Sequence, residues 1–203
     1  MYPIEFSYTP ADNNLIGFAE NITGAGPFTM TTTTPDDDLA HQVTIDSAQN
    51  LSSITFTLTG TDADDFSQTE DVVGPNATTV TGTKYFKTLT TVTASATLGA
   101  NTADIGWNDV AVGPTFPLNW RQNDFQVSLG VDISGTINFT VQHCLEDIRK
   151  ANPSTLSWWP HSTLVSKTAD TDGNYASPVT ATRLLVNSVT AGATINFQIV
   201  QGN

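Results

Sequence analysis

Side chains between residues 43 and 95 change character at nearly every second position, the spacing of strands that keep one face in a core and one in water. In the run ITFTLTG, Ile54, Phe56 and Leu58 share one face while Thr55, Thr57 and Thr59 share the other. Gly60, Asp62, Asp64 and Asp65 then interrupt the alternation with residues that tolerate left-handed backbone or bond their own main chain, which predicts a turn. FSQTEDVV, residues 66–73, returns as a second strand and makes a hairpin. A stop at Gly74, Pro75 and Asn76 leads into TKYFKTLTTVTAS, predicted as the next strand of a β meander whose wet face is largely threonine.

The same pattern extends in both directions. Residues 1–14 carry two prolines and few apolar groups beyond a short IEFSY alternation, so they are expected as an arm ordered by a neighbour, with an edge strand at most. Between residues 15 and 30 the apolar positions Leu15, Ile16, Phe18, Ile22 and Phe28 are punctuated by Gly17, Gly24, Gly26 and Pro27, which predicts short strands and tight turns. TTTTPDDD, residues 31–38, reads as a loop. VGPTFP, residues 112–117, is the expected domain boundary, because two prolines so close together do not sit in a central strand.

Beyond it, Ile137, Phe139 and Val141 alternate with Asn138, Thr140 and Gln142 after a fold-over at Ser134 and Gly135. Ile195, Phe197 and Ile199 repeat that spacing after a turn at Ala191 and Gly192. GTINFTVQ and GATINFQIVQ are alike enough to suggest an internal repeat of turn plus strand. Residues 145–151 read as one or two helical turns ended by Pro153. Residues 152–177 form a long excursion of the kind that serves function or packs against a partner.

Length and composition then fix the class. A chain of 203 residues buries one large core or two small ones, since domains commonly hold about 100 to 150 residues. Only 13% of the residues are charged and threonine is the commonest type, which favours strands over helices. The expectation is an all-β protein of two β-sandwich or jelly-roll-like domains with antiparallel strands and little helix: an arm at 1–14, an N-terminal β-sandwich at 15–112 and a C-terminal one at 113–203. The net charge of −13 repels nucleic-acid phosphates, so no nucleic-acid partner is expected. The opening MYPIEFSYTPADNN has neither a basic start nor an apolar h-region, and no run of about 18 apolar residues occurs, so usual export and a membrane partner are not expected.

Candidate chemistry is sparse. Cys144 lies at the end of a strand pattern and has no second cysteine to pair with, so it is expected as a buried small hydrophobe. Its neighbour His143 points to the opposite face of the strand, which argues against a thiolate pair. His41, His143 and His161 lack zinc-type spacing. In ADTDGNY, Asp170, Asp172 and Asn174 surround Gly173 as at the start of a calcium loop, but Ala181 stands where the closing Glu is needed. That segment and GTDADD are read as solvated turns, with no metal and no cofactor. Nor does the sequence favour any pair of carboxylates among Glu5, Glu20, Glu70, Glu146 and the aspartates for sugar hydrolysis. A non-enzymatic role is therefore expected. Trp158 and Trp159, beside Pro160, read as an interface or core cover before a sugar platform. The candidate interface residues are Tyr2, Pro3 and Phe6 in the arm and Trp158, Trp159, Pro160 and Tyr175 in the excursion.

The succession VTIDSAQN, SITFTLTGTDADDFSQTEDVVGPN and TGTKYFKTLTTVTAS resembles structural proteins of tailed bacteriophages, in which a strand, a TGTDADG-like turn, an E-x-V-x-GP return strand and a T-x-K-x-F-K-x-V strand follow in similar order. The resemblance covers residues 43–95, about a quarter of the chain, and departs at Asp65, where the pattern has glycine. The ending RLLVNSVTAGATINFQIVQG is similar to the tail of such proteins with less specificity. The resemblance implies a virion component and supplies no catalytic residues. Together with the acidic surface, it leads to the expectation of a capsid decoration or cement protein on the outer capsid surface, a homotrimer whose partner is the major capsid protein. The alternatives are a tail adaptor, nozzle or fibre anchor and, in a different class, a carbohydrate-binding module for host attachment.

Overall fold

In the computed structural model of the chain, residues 4–7, 17 and 25–202 are described. Among the described residues the fold is nearly all antiparallel β, with no helix of seven residues or more. The chain divides into two compact units, one of residues 10–111 and one of residues 1–9 with 112–203. The first strand, β1 (Ile4–Ser7), thus belongs to the second unit, where it pairs with the last strand of the chain.

The unit of residues 10–111 contains β2 (Gly26–Pro27), β3 (Ala40–Asn50), β4 (Thr55–Thr61), β5 (Ser67–Val73), β6 (Asn76–Phe86), β7 (Thr88–Ala94) and β8 (Asp104–Val112, whose last residue falls in the other unit). One sheet runs β2-β7-β4-β5, and β8, β3 and β6 are neighbours in another. Their inner faces share a single core that includes Val43, Ile45, Phe56, Leu58, Phe86, Leu89, Val92, Ile105 and Trp107. Burying a side chain such as Phe56 or Phe86 completely contributes roughly 2–3 kcal/mol.

The expected hairpin forms, with β4 against β5 from Thr55↔Val73 to Thr61↔Ser67. Asp62 builds its turn: Oδ1 accepts the N–H groups of Asp64 at 2.9 Å and Phe66 at 3.0 Å. Asp65 stands there at φ +64°, the left-handed region in which glycine is freest. The meander expected beyond the hairpin is corrected. β5 and β6 belong to different sheets, and the Gly74–Pro75 link carries the chain between them. The single strand expected from TKYFKTLTTVTAS is two strands. Lys87 breaks the ladder, so β6 pairs β3 while β7 pairs β4. The buried residues record the break: Phe86 and Leu89, on either side of it, lie three apart, which unbroken alternation does not allow, and a bulge in the β4–β7 ladder sets the same spacing between Leu89 and Val92.

The second unit adds β9 (Phe116–Pro117), β10 (Val127–Ser134), β11 (Ile137–Cys144), β12 (Trp158–Pro160), β13 (Thr171–Tyr175), β14 (Ala181–Val189) and β15 (Thr194–Gln201). One sheet runs β1-β15-β10-β13; in the other, β11 lies between β12 and β14, and β9 pairs β14. The strands on either side of Gly135 are not a hairpin. β10 pairs β15 and β11 pairs β14, so each of the two similar turn-plus-strand segments arches from one sheet to the other. Exchanging the two arches leaves the pairings unchanged, which places GTINFTVQ and GATINFQIVQ in equivalent positions. At the arches Gly135 has φ +86°, and a β-carbon there would fall 2.8 Å from Cβ of Ala193.

Two further expectations change. Residues 145–151 are not helical: the Asp147 carbonyl accepts the Lys150 N–H in a single turn, and a short 3-10 helix, Pro153–Thr155, follows its Asn152 cap. The excursion is mostly framework, because β12 lines the edge of β11 and β13 the edge of β10. ADTDGNY is accordingly a strand rather than a solvated turn. Gly173 leaves room there for Leu164 and His161, whose atoms would lie 2.8 and 3.2 Å from an added β-carbon.

Candidate functional site

The expected interface residues separate into those at an edge and those inside. Tyr2 and Pro3 lie outside the described residues. Phe6 pairs with Ile195 in the β1–β15 ladder of its own chain, so the backbone of this part of the arm is held by β15 rather than by a neighbouring molecule. Trp158, Trp159 and Pro160 are β12 itself, an edge strand whose inner side meets Cys144, His143 and Gln142. Successive strand residues face opposite ways, so the two indoles do not form one platform. Trp158 is held in place, its Nε1–H donating to the Pro153 carbonyl at 2.9 Å and its ring lying 4.1 Å from Cζ of Arg183. Trp159 is 56% exposed, and Pro160 beside it is exposed as well. Proline has no N–H to offer a further strand, which blunts the edge at that point.

Tyr175 corrects the expectation. It is buried, 7% exposed, and belongs to a cluster inside the second unit. The rings of His143 and His161 meet its ring edge-on at 5.3 and 4.8 Å, and its hydroxyl lies 3.5 Å from Thr182 Oγ1. Burial pushes the Tyr175 hydroxyl up to about 12, while burial and then the neighbouring His161 hold His143 below the usual imidazole value. Spacing in the sequence gives no sign of this group. The antiparallel register of β12 against β11 brings His161 beside Val141, whose carbonyl accepts its N–H at 2.8 Å.

A second buried pair joins the loop before β3 to the start of β3 itself. Asp37 and His41 have side chains with no exposed surface, and His41 Nε2 lies 3.0 Å from Asp37 Oδ2. His41 Nδ1 lies 2.7 Å from the Asn108 carbonyl, which only accepts, so Nδ1 carries a proton. One more proton is shared between Nε2 and the carboxylate, leaving the pair neutral overall whether it sits on nitrogen or oxygen. Of the three aspartates in the loop TTTTPDDD, Asp37 is therefore inside. The i, i+4 spacing of Asp37 and His41 was the available signal, a carboxylate beside an imidazole rather than the His and Cys spacings of a zinc site.

Cys144 is buried, and its sulfur accepts the Glu146 N–H at 3.3 Å. Among the described residues no group of three or more His, Cys, Asp or Glu side chains is placed to hold a metal ion. No helix among them is long and apolar enough to cross a membrane. The second unit has a shallow cleft of about 140 Å³ lined by Trp120, Arg121, Asp147, Arg149 and their neighbours. Arg121 lies 4.7 Å over the Trp120 ring, and Arg149 grips Asp147 through bonds of 2.8 and 2.9 Å. That guanidinium holds the Asp147 carboxyl down at about 2. Asp147 offsets one of the two arginines that line the cleft, and no nucleophile in the lining stands beside a base. Comparisons with protein-family models and with curated proteins find no match to this chain.

Proposed function

We propose that the chain is a non-enzymatic bacteriophage virion protein, a decoration or cement protein that binds the outer surface of the major capsid protein shell as a homotrimer. The turn at residues 62–66 supports this reading most. The phage-like pattern departs at Asp65, and the departure leaves the turn's backbone as glycine would have it, at φ +64°. Both units are built from antiparallel sheets, which suits a module that stays folded while making many contacts. A charge of −13 suits the outside of a shell better than a DNA-lined interior.

The contact surface in this reading is the edge of β12, where Trp159 and Pro160 stand in solvent on a strand fixed from behind by β11. An exposed aromatic on a rigid support loses little side-chain freedom on docking. Recombinant chain is expected to cosediment with emptied capsid shells, and Trp159→Ala to weaken that binding while leaving near-ultraviolet circular dichroism largely intact. Stoichiometry on purified particles separates the locations: on the order of hundreds of copies fits decoration, whereas about six or twelve overturns it in favour of a tail adaptor, nozzle or fibre anchor.

The carbohydrate reading rests on Trp159 alone, since Arg183 covers Trp158. Glycan-array binding that disappears in Trp159→Ala would favour it over shell binding.

A further inference from the structure

We propose that residues 158–175, the β12–β13 segment, form an acid-released latch that closes the edge of the second unit only while His161 and His143 are uncharged. The hydrogen bonds around His161 fix its state. Nδ1 accepts the backbone N–H groups of Thr163 at 3.1 Å and Leu164 at 3.2 Å, and both are donors only. Nε2 lies 3.1 Å from the Asn174 carbonyl, an acceptor only, and must carry the proton. The closed latch thus requires a neutral imidazole of one tautomer. A second proton on Nδ1 would face two N–H groups and leave both without an acceptor.

The site offers a charged imidazole little compensation. His161 is buried, 4% exposed. Facing it are the Thr163 hydroxyl from its own loop, Asn174 and the Tyr175 ring from β13, and His143 from β11. Facing His143 are the Tyr175 ring, Trp159 from β12 and Thr182 from β14, and its Nδ1 is buried without a partner. Among the described residues no ion pair joins either imidazole to a carboxylate. Each histidine that charges therefore disfavours the other. For His143, held below its unfolded value of 6.5, stability is complete above that value and lost as pH falls below it.

What opens is defined by the ladder. Opening separates β12 from residues 142–144 and breaks the bonds of residues 161–167 to Phe139 and Val141. It also uncovers Leu164, which is fully buried when the latch is closed. The histidine of the other unit, His41, has the Asp37 carboxylate as its partner.

Hydrogen exchange of the full chain between about pH 7.5 and about pH 5, corrected for intrinsic exchange, tests the latch. Peptides spanning residues 158–175 and 137–144 are expected to lose protection by on the order of tenfold per pH unit for each proton taken up, ahead of residues 40–111. In His161→Asn the amide oxygen takes the same two backbone donors and does not titrate, so most of the response disappears. His143→Phe keeps a ring beside Tyr175 and is expected to reduce the slope without abolishing it. Constant protection, or loss in one step with residues 40–111, overturns the proposal. So does an unchanged response in both variants. Should His161→Asn fail to fold, nitrogen-15 shifts of the wild-type histidines decide: a charged His161 in the closed state at about pH 5 refutes it, and a neutral Nε2–H imidazole until opening supports it.

Discussion

Glu70 on β5 occupies the space that the absence of a side chain at Gly82 leaves on β6: a β-carbon at residue 82 would fall 2.7 Å from Glu70 Oε2. From there Oε1 accepts the Thr83 N–H at 2.6 Å and Oε2 the Lys84 N–H at 3.1 Å, while the Lys84 ammonium returns to the Thr69 carbonyl at 2.7 Å. The edge strands of two sheets are thereby joined by side chains where their backbones do not pair.

Gly82→Ala is expected to displace this carboxylate rather than distort the backbone, because Glu70 is free to swing aside. Both Gly82→Ala and Glu70→Ala should cost about 1–2 kcal/mol in urea unfolding, and the double variant little more than either alone. Additive losses would show that the two residues act separately.

The touching arches give a sharper contrast between two glycines. Gly135 has φ +86° and Ala193 against it, whereas Gly192 has φ +75° and open space around it. Gly192→Ala should cost about 1–2 kcal/mol, for left-handed backbone alone. Gly135→Ala adds a clash and should cost about 2–4 kcal/mol, part of which Ala193→Gly restores. Equal losses in thermal unfolding would mean that the arches do not press on one another.

At Asp37 the expected outcome turns on hydrogen bonding. Asp37→Asn keeps an oxygen for the Leu39 N–H, now at 3.0 Å, and gives an amide donor to Nε2 of a neutral His41. Asp37→Ala leaves both without a partner in a buried site and should cost about 3–5 kcal/mol, well beyond the asparagine variant. Tryptophan fluorescence during urea unfolding reports this directly, since the Trp107 ring lies 6.0 Å from His41. Equal damage in the two variants would assign the stability to charge instead.

Alkaline pH probes Tyr175. Its hydroxyl is raised from 10 to about 12, so its contribution is complete below pH 10 and is lost as pH rises toward 12, by roughly 2–3 kcal/mol. Tyr175→Phe keeps the ring contacts with both histidines and gives up only the long bond to Thr182, so at neutral pH it should cost less than about 1 kcal/mol. The stability of the variant, followed by denaturant midpoint against pH, should be flatter above pH 10. A parallel decline in both proteins would point to other groups.

Local chemistry was enough for part of this fold. Alternation at Ile54, Phe56 and Leu58, followed by the aspartate-rich turn, dictates β4, β5 and their hairpin, because each contact joins near neighbours in the chain. Composition dictates the all-β class in the same way. At the candidate contact surface, the sequence marks Trp158, Trp159 and Pro160 as a unit, but their types do not say which indole is covered.

Tertiary structure decided which strand lies beside which. Alternation tells a side chain its face but not its sheet, so the crossings at Pro75, Lys87 and Gly135 look in the sequence like the turns of a meander. The same limit hides the pairing of β12 with β11, which covers Trp158, draws Tyr175 inside and brings His143 to His161. Those contacts depend on a register between distant segments, set by the packing of two sheets about a common core and by no residue spacing along the chain.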